Sequence, residues 1–153
     1  VPRKILVALD MSPMSKPLAS YALSLAFRLD TETTFIHVLP HTYLWRGYDN
    51  WLPRNLDREV HEVARKRISY FLKKAEENNP HLADVKREII VEEGNPADIV
   101  IETAREGQFN LILIGHRGHS TIERLVVGST ATSIARYAHC SILLYRPGLE
   151  EVL

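Results

Sequence analysis

Five short β-rich apolar runs alternate with segments whose apolar residues recur at helical spacing, and this alternation decides the fold class. Lys4-Ile5-Leu6-Val7-Ala8-Leu9, closed by Asp10, reads as a central parallel strand. Thr33 to Leu39 is a second strand, stopped by Pro40. Val85 to Glu92 is a third, and its imperfect alternation suits a place nearer a sheet edge. Leu111 to Ile114 fits a strand buried on both faces, and Ser141 to Tyr145 is the fifth. Strand and helix in turn predict an α/β fold: a parallel sheet with helices on both faces and right-handed crossovers. At 153 residues the chain reads as one domain, 1–153, with room for a sizeable core.

The helices follow from local signals. Ser15 is an N-cap candidate, Pro17 fits a first turn, and Leu18, Tyr21, Ala22, Leu25, Ala26 and Leu29 make one apolar stripe. Asp57 is placed to cap a long helix running to about Asn78, with Val60, Val63, Ala64, Ile68, Phe71, Leu72 and Ala75 inward. Asn95-Pro96 is an N-cap followed by proline at the first helical position; Gly107 stops that third helix. A fourth runs from Ser129 to about Ala138. The tail after Pro147 is short and expected to be mobile. Pro40 to Leu56 is irregular and carries Tyr43, Trp45, Tyr48 and Trp51. It reads either as a lid or partner surface, or as aromatics packed on neighbouring helices.

Leu111 to Ser129 carries the chemistry. The strand ends at Gly115, Gly118 follows, and Gly128-Ser129-Thr130 opens a helix. Glycine allows close approach to a bulky anion, and a helix start offers N–H groups and hydroxyls to it. The stretch is thus either a phosphate cradle or two tight turns around a surface loop. Ligands of a doubly wound sheet bind outside the carboxyl ends of its strands, where Asp10, Val38 and Gly115 lie. Asp10 then either contacts a ligand or caps the following turn.

Composition excludes more than it selects. Lys plus Arg and Asp plus Glu balance at 19 each, so net charge makes no case for nucleic acid or a membrane surface. No apolar run approaches the ~18 residues of a membrane span. A lone Cys140 excludes an intrachain disulfide, and no signal peptide is visible before the first strand, so a reducing, cytoplasmic setting is expected. Cys140 itself reads as inert. His116 and His119 invite a metal, but a zinc site needs three or four ligands, so no metal residue is assigned. A magnesium ion arriving with a nucleotide is the better-founded cation. His37, inside an apolar strand, reads as a hydrogen-bonded core histidine.

Gly115-x2-Gly118-x9-Gly128-Ser129 resembles the nucleotide-binding signature of the universal stress protein family. Asp10 after the first strand, His37-Val38, Gly94-x-Pro96 and the final strand resemble that family too, over essentially the whole chain. The resemblance implies a five-stranded parallel sheet in the order 3-2-1-4-5, Rossmann-like and similar to the adenine nucleotide α-hydrolases. It implies ATP as ligand, with Mg2+ accompanying it, and a homodimer pairing through Ser141 to Tyr145. By position, Asp10 and Val38 would hold adenine and ribose, Ala8 and Leu9 would line the base pocket, and Ile114 would lie opposite. Gly115 would meet ribose; Gly118, Gly128 and Ser129 would meet phosphate. Two places depart from the common pattern. Thr130 precedes Ala131 where many members carry a hydroxyl, which transfers or removes one phosphate contact. His116-Arg117 replaces a small polar start, from which Arg117 either adds a charged contact to phosphate or points into solvent.

Three function classes remain open to test. The first is an ATP-binding regulatory dimer of stress response. The second is a slow ATPase or phosphotransferase using Arg117, His116, His119 or Glu123; no catalytic residue is assigned, because no orienting partner is visible. The third is a nucleotide-free interaction module using Tyr43 to Trp51. The G-x-x-x-x-G-K-[ST] string of a P-loop is absent, and Leu9-Asp10-Met11-Ser12 stands where ATP pyrophosphatases carry a glycine-rich loop. Arg146-Pro147 does not fit the lysine of a receiver domain.

Overall fold

Alternating side chains of the central strands feed two separate cores. In a computed structural model, which describes residues 3–40, 56–116 and 127–147, Ile5, Val7, Phe35 and Leu113 pack on one face of the sheet. Leu6, Ile36, Val38, Ile112 and Ile114 pack on the other. The strands are β1 (Lys4–Ala8), β2 (Glu32–Leu39), β3 (Arg87–Glu93), β4 (Leu111–Gly115) and β5 (Ser141–Tyr145). Among the described residues they form one five-stranded sheet in the order β3-β2-β1-β4-β5, with every pair parallel. β1 lies at the centre, pairing Ala8 with Ile36 on one side and with Ile114 on the other.

The helices divide between the faces. α1 (Ser15–Leu29) and α2 (Leu56–Asn78) cover the first core with Leu18, Leu23, Ile68 and Leu72, joined by Leu82 of a 3-10 turn, Pro80–Asp84. α3 (Pro96–Glu106) and α4 (Ser129–Tyr137) cover the second with Val100, Ala104, Ala131 and Ile134. With every strand parallel and helices on both faces, the carboxyl ends of β1, β2 and β4 open on the same side. No described helix is long and apolar enough to cross a membrane.

Several local expectations change. Ser15 does not cap α1; Met14 holds that place, and the Ser15 hydroxyl donates to Asp10 Oδ1 at 3.2 Å. A carboxylate two residues past the strand outcompetes the helix for that hydroxyl. α2 starts at Leu56, so Asp57 lies inside its first turn rather than before it. Val63 leaves the apolar stripe and is 64% exposed. β3 starts at Arg87, because the 3-10 turn consumes the preceding residues; Arg87 then pairs with Glu76 of α2. Gly107 ends α3 at an ordinary φ of −81°, and Gln108 takes the left-handed conformation at 55°. Glycine is needed at 107 for space, since a Cβ there would run into the Phe109 ring. Asn95 behaves as its sequence predicts, accepting the Asp98 N–H at 3.1 Å. The segment Tyr43 to Trp51 and the residues after Pro147 lie outside the described residues.

Candidate functional site

Three strand ends and three helix starts converge on one cavity. It measures about 510 Å3 and lies over the carboxyl ends of β1, β2 and β4. Ala8, Leu9, Asp10, Val38, Ile114, Gly115, Gly128, Ser129 and Thr130, all singled out in the sequence, line it. Arg117, Gly118, His119 and Glu123 lie outside the described residues.

Two anchors shape the wall around β1. The Leu9 N–H donates to the Ile36 carbonyl at 2.9 Å, extending the β1–β2 ladder past the strand's end. His37 Nδ1–H donates to the Leu9 carbonyl at 2.7 Å. That bond agrees with the core-histidine reading, yet His37 also lines the cavity. Asp10 does the turn-capping job: its Oδ1 accepts the Ser12 N–H at 2.9 Å as well as the Ser15 hydroxyl. Asp10 is at the same time part of the cavity wall, so the two readings of this residue are compatible.

The far wall is the start of α4. Gly128 is its N-cap, with φ −60° and ψ 156°, and no side chain caps the turn. The first N–H groups of a helix have no partner inside it, so those of Ser129, Thr130 and Ala131 form a donor-rich end at the cavity. The Gly128 carbonyl accepts both the Thr132 N–H and the Thr132 hydroxyl, at 2.9 Å each, which holds the turn's direction. Apolar walls from β1 and β2 facing a polar helix end suit a ligand with a flat apolar part and an anionic part.

The charge inventory is sparse. Among the described lining residues Asp10 supplies the one carboxylate, and none is a lysine or arginine. No described group of three or more His, Cys, Asp or Glu is arranged to hold a metal. Cys140 lies apart from the described cavity wall. Burial pushes its thiol up, and a backbone hydrogen bond with Ile112 opposes that shift only in part.

Sequence reasoning missed part of the wall. Met11, Met14, Ser15, His37, Pro40 and Pro96 all line the cavity. Their signal was positional: each lies within a few residues of a predicted strand end or helix start, where a doubly wound sheet builds its site.

The sequence model of the Universal stress protein family matches residues 2–146. This chain belongs to the universal stress protein family. Universal stress protein MJ0531 of Methanocaldococcus jannaschii is 29% identical over 157 aligned residues, covering 97% of this chain and 85% of that one. Among solved structures, the fold is shared with the universal stress protein from Archaeoglobus fulgidus in complex with dAMP. That match has a TM-score of 0.65 at 17% identity, over 94% of this chain and 98% of the other. A universal stress protein family protein from Arabidopsis thaliana with AMP bound matches at a TM-score of 0.60 and 15% identity, over 99% and 96%.

Proposed function

We propose that this universal stress protein binds ATP in the cavity over β1, β2 and β4, and acts as a regulatory protein in stress response. The observation that carries the reading is the opposition of an apolar strand-end wall to the open N-terminus of α4 within one cavity of about 510 Å3. Ala8, Leu9, Val38 and Ile114 take the base, Asp10 and Gly115 the ribose, and Gly128, Ser129 and Thr130 the phosphates. Gly118 and Arg117 complete the phosphate end by their place in the glycine signature. The AMP and dAMP held by the two structural neighbours support an adenine nucleotide as the ligand class. Because no described lining residue is cationic, Mg2+ and helix N–H groups balance the phosphate charge together with Arg117. Hydrolysis needs a group to orient water and cations at the γ-phosphate, so the reading is binding rather than turnover. A second copy pairs along β5, an edge strand whose Leu144 is 38% exposed, and the protein works in the cytoplasm as a homodimer.

The test is to denature freshly purified protein and identify released nucleotide by chromatography, beside a Gly128→Val variant. Valine adopts the Gly128 backbone angles without strain, so its isopropyl group tests space in the cavity. ATP from the parent and none from the variant supports the reading. No nucleotide from the parent, and no binding of added ATP with magnesium, overturns it. ADP accumulating after ATP is added favours a slow hydrolase.

A further inference from the structure

Both methionines of this chain line the same cavity. The sequence holds two, Met11 and Met14. Each is partly buried against the core under α1 and retains access from the cavity. Met11 has φ 65°, a left-handed conformation that a non-glycine residue holds at a cost of about 1–3 kcal/mol. The turn holds that conformation while the Ser12 N–H donates to Asp10 Oδ1. Glycine would make the same turn without strain. What a glycine would lack is a side chain in the cavity wall.

Thioethers suit such a wall. They are polarizable and make favourable contacts with the edges of aromatic rings. They are also oxidised to sulfoxides, which are polar and reversible by reductases. The lining shared by these side chains is largely apolar, with Leu9, Leu18 and Ile36 among its residues, and its hydroxyl donors are Ser15, Ser129 and Thr130, of which Ser15 already donates to Asp10. The competing soft nucleophile, Cys140, is partly buried, and its raised thiol range keeps thiolate scarce.

We propose that Met11 and Met14 are an oxidation site that controls the cavity, releasing an aromatic ligand when a peroxide converts their thioethers to sulfoxides. The sulfur lone pair attacks one peroxide oxygen, an S–O bond forms and the O–O bond breaks. The departing hydroxide takes the proton from the oxygen left on sulfur and leaves as water. Sulfur is oxidised by two electrons and the peroxide is reduced by two. The identity of the ligand rests on the nucleotide reading above; the modification does not.

The experiment treats the full chain with hydrogen peroxide, locates added oxygen by peptide mass spectrometry, and measures ATP affinity by calorimetry before and after. A Met11→Leu/Met14→Leu variant is compared with its own untreated sample. The expected result is a loss of about tenfold in the oxidised parent, the scale of one unpaired polar group against an apolar ligand. Methionine sulfoxide reductase should restore affinity, and peroxide should not change that of the leucine variant. Full affinity with both sulfurs oxidised overturns the proposal. So does an equal loss in the leucine variant, or sulfurs that stay reduced where free methionine is oxidised. A parent that binds no ATP before treatment overturns the nucleotide reading, and the ligand release built on it; a parent that binds ATP and keeps full affinity once oxidised overturns this inference alone.

Discussion

Two strand-to-helix turns at the cavity solve the same problem with different residues. The turn between β3 and α3 places Gly94 at φ 142° and caps the helix through Asn95. The turn between β1 and α1 places Met11 at 65° and leaves its helix without a side-chain cap. The first uses a residue for which the conformation is free, and the second a residue for which it is strained. In the first the capping side chain serves the helix. In the second Asp10 and Ser15 bond each other, and the side chains of Met11 and Met14 go to the cavity wall. The difference separates a turn shaped for stability from one that sacrifices some of it to line the cavity.

Substitutions can break this comparison. Gly94→Ala should have the largest effect, about 2–3 kcal/mol of lost stability in urea denaturation, combining strain with crowding. A Cβ at 94 would stand 3.0 Å from Ile99 Cγ1. An unchanged midpoint would remove the claim that this turn depends on glycine. Asn95→Ala should cost about 1 kcal/mol in the same assay by stripping the cap from the Asp98 N–H. Met11→Gly should change stability by less than about 1 kcal/mol, because relief of left-handed strain is offset by added chain entropy and by the apolar contact the side chain makes with the core. The same variant should bind ATP more weakly by calorimetry; a gain in both would show that the side chain has no part in the site.

The smallest effect belongs to a control remote from both turns. Lys86 Nζ donates to Glu32 Oε1 at 2.8 Å on an exposed edge. That hydrogen bond holds the Glu32 carboxyl below its usual range and the Lys86 ammonium above its own. The carboxylate's contribution is present above its unfolded pKa and is lost as pH falls through the lower folded one. The ammonium's contribution is lost at the alkaline end, as pH rises through its raised folded value. Solvent and salt screen an exposed pair, so Lys86→Ala should melt with the parent at neutral pH and high salt. A slight gap at low salt should close on acidification.

What was legible in the sequence was whatever local rules decide. Strand periodicity, the Asn95-Pro96 helix start and the strand-end and helix-start glycines Gly115 and Gly128 are written in neighbouring residues, and the structure brings both glycines to the cavity. The strand order came from family resemblance rather than from any pattern in the strands. What stayed hidden depends on competition between distant or alternative partners. Ser15 looked like a cap until Asp10 claimed its hydroxyl. Gly107 stops α3 as its place predicts, but the reason is distant: a ring two residues on requires its lack of a side chain, and Gln108 takes the left-handed angle. His37 carries no trace in its neighbours of the Leu9 carbonyl, which another strand delivers. The place of Met11 and Met14 in the cavity wall is equally unwritten, because nothing in their spacing shows which way a turn faces.

One closure near the site has a further consequence. His116 donates its backbone N–H to the Tyr145 carbonyl at 3.0 Å, and its own carbonyl accepts the Gly128 N–H at 2.7 Å. The chain between His116 and Gly128 therefore departs from and returns to a single knot fixed to the end of β5. Closing a longer loop on such a knot adds only about 0.6 kcal/mol per doubling of its length. A change of length between the two ends therefore costs the sheet little, while the part proposed for Arg117 and Gly118 in phosphate binding limits how freely that stretch can be exchanged.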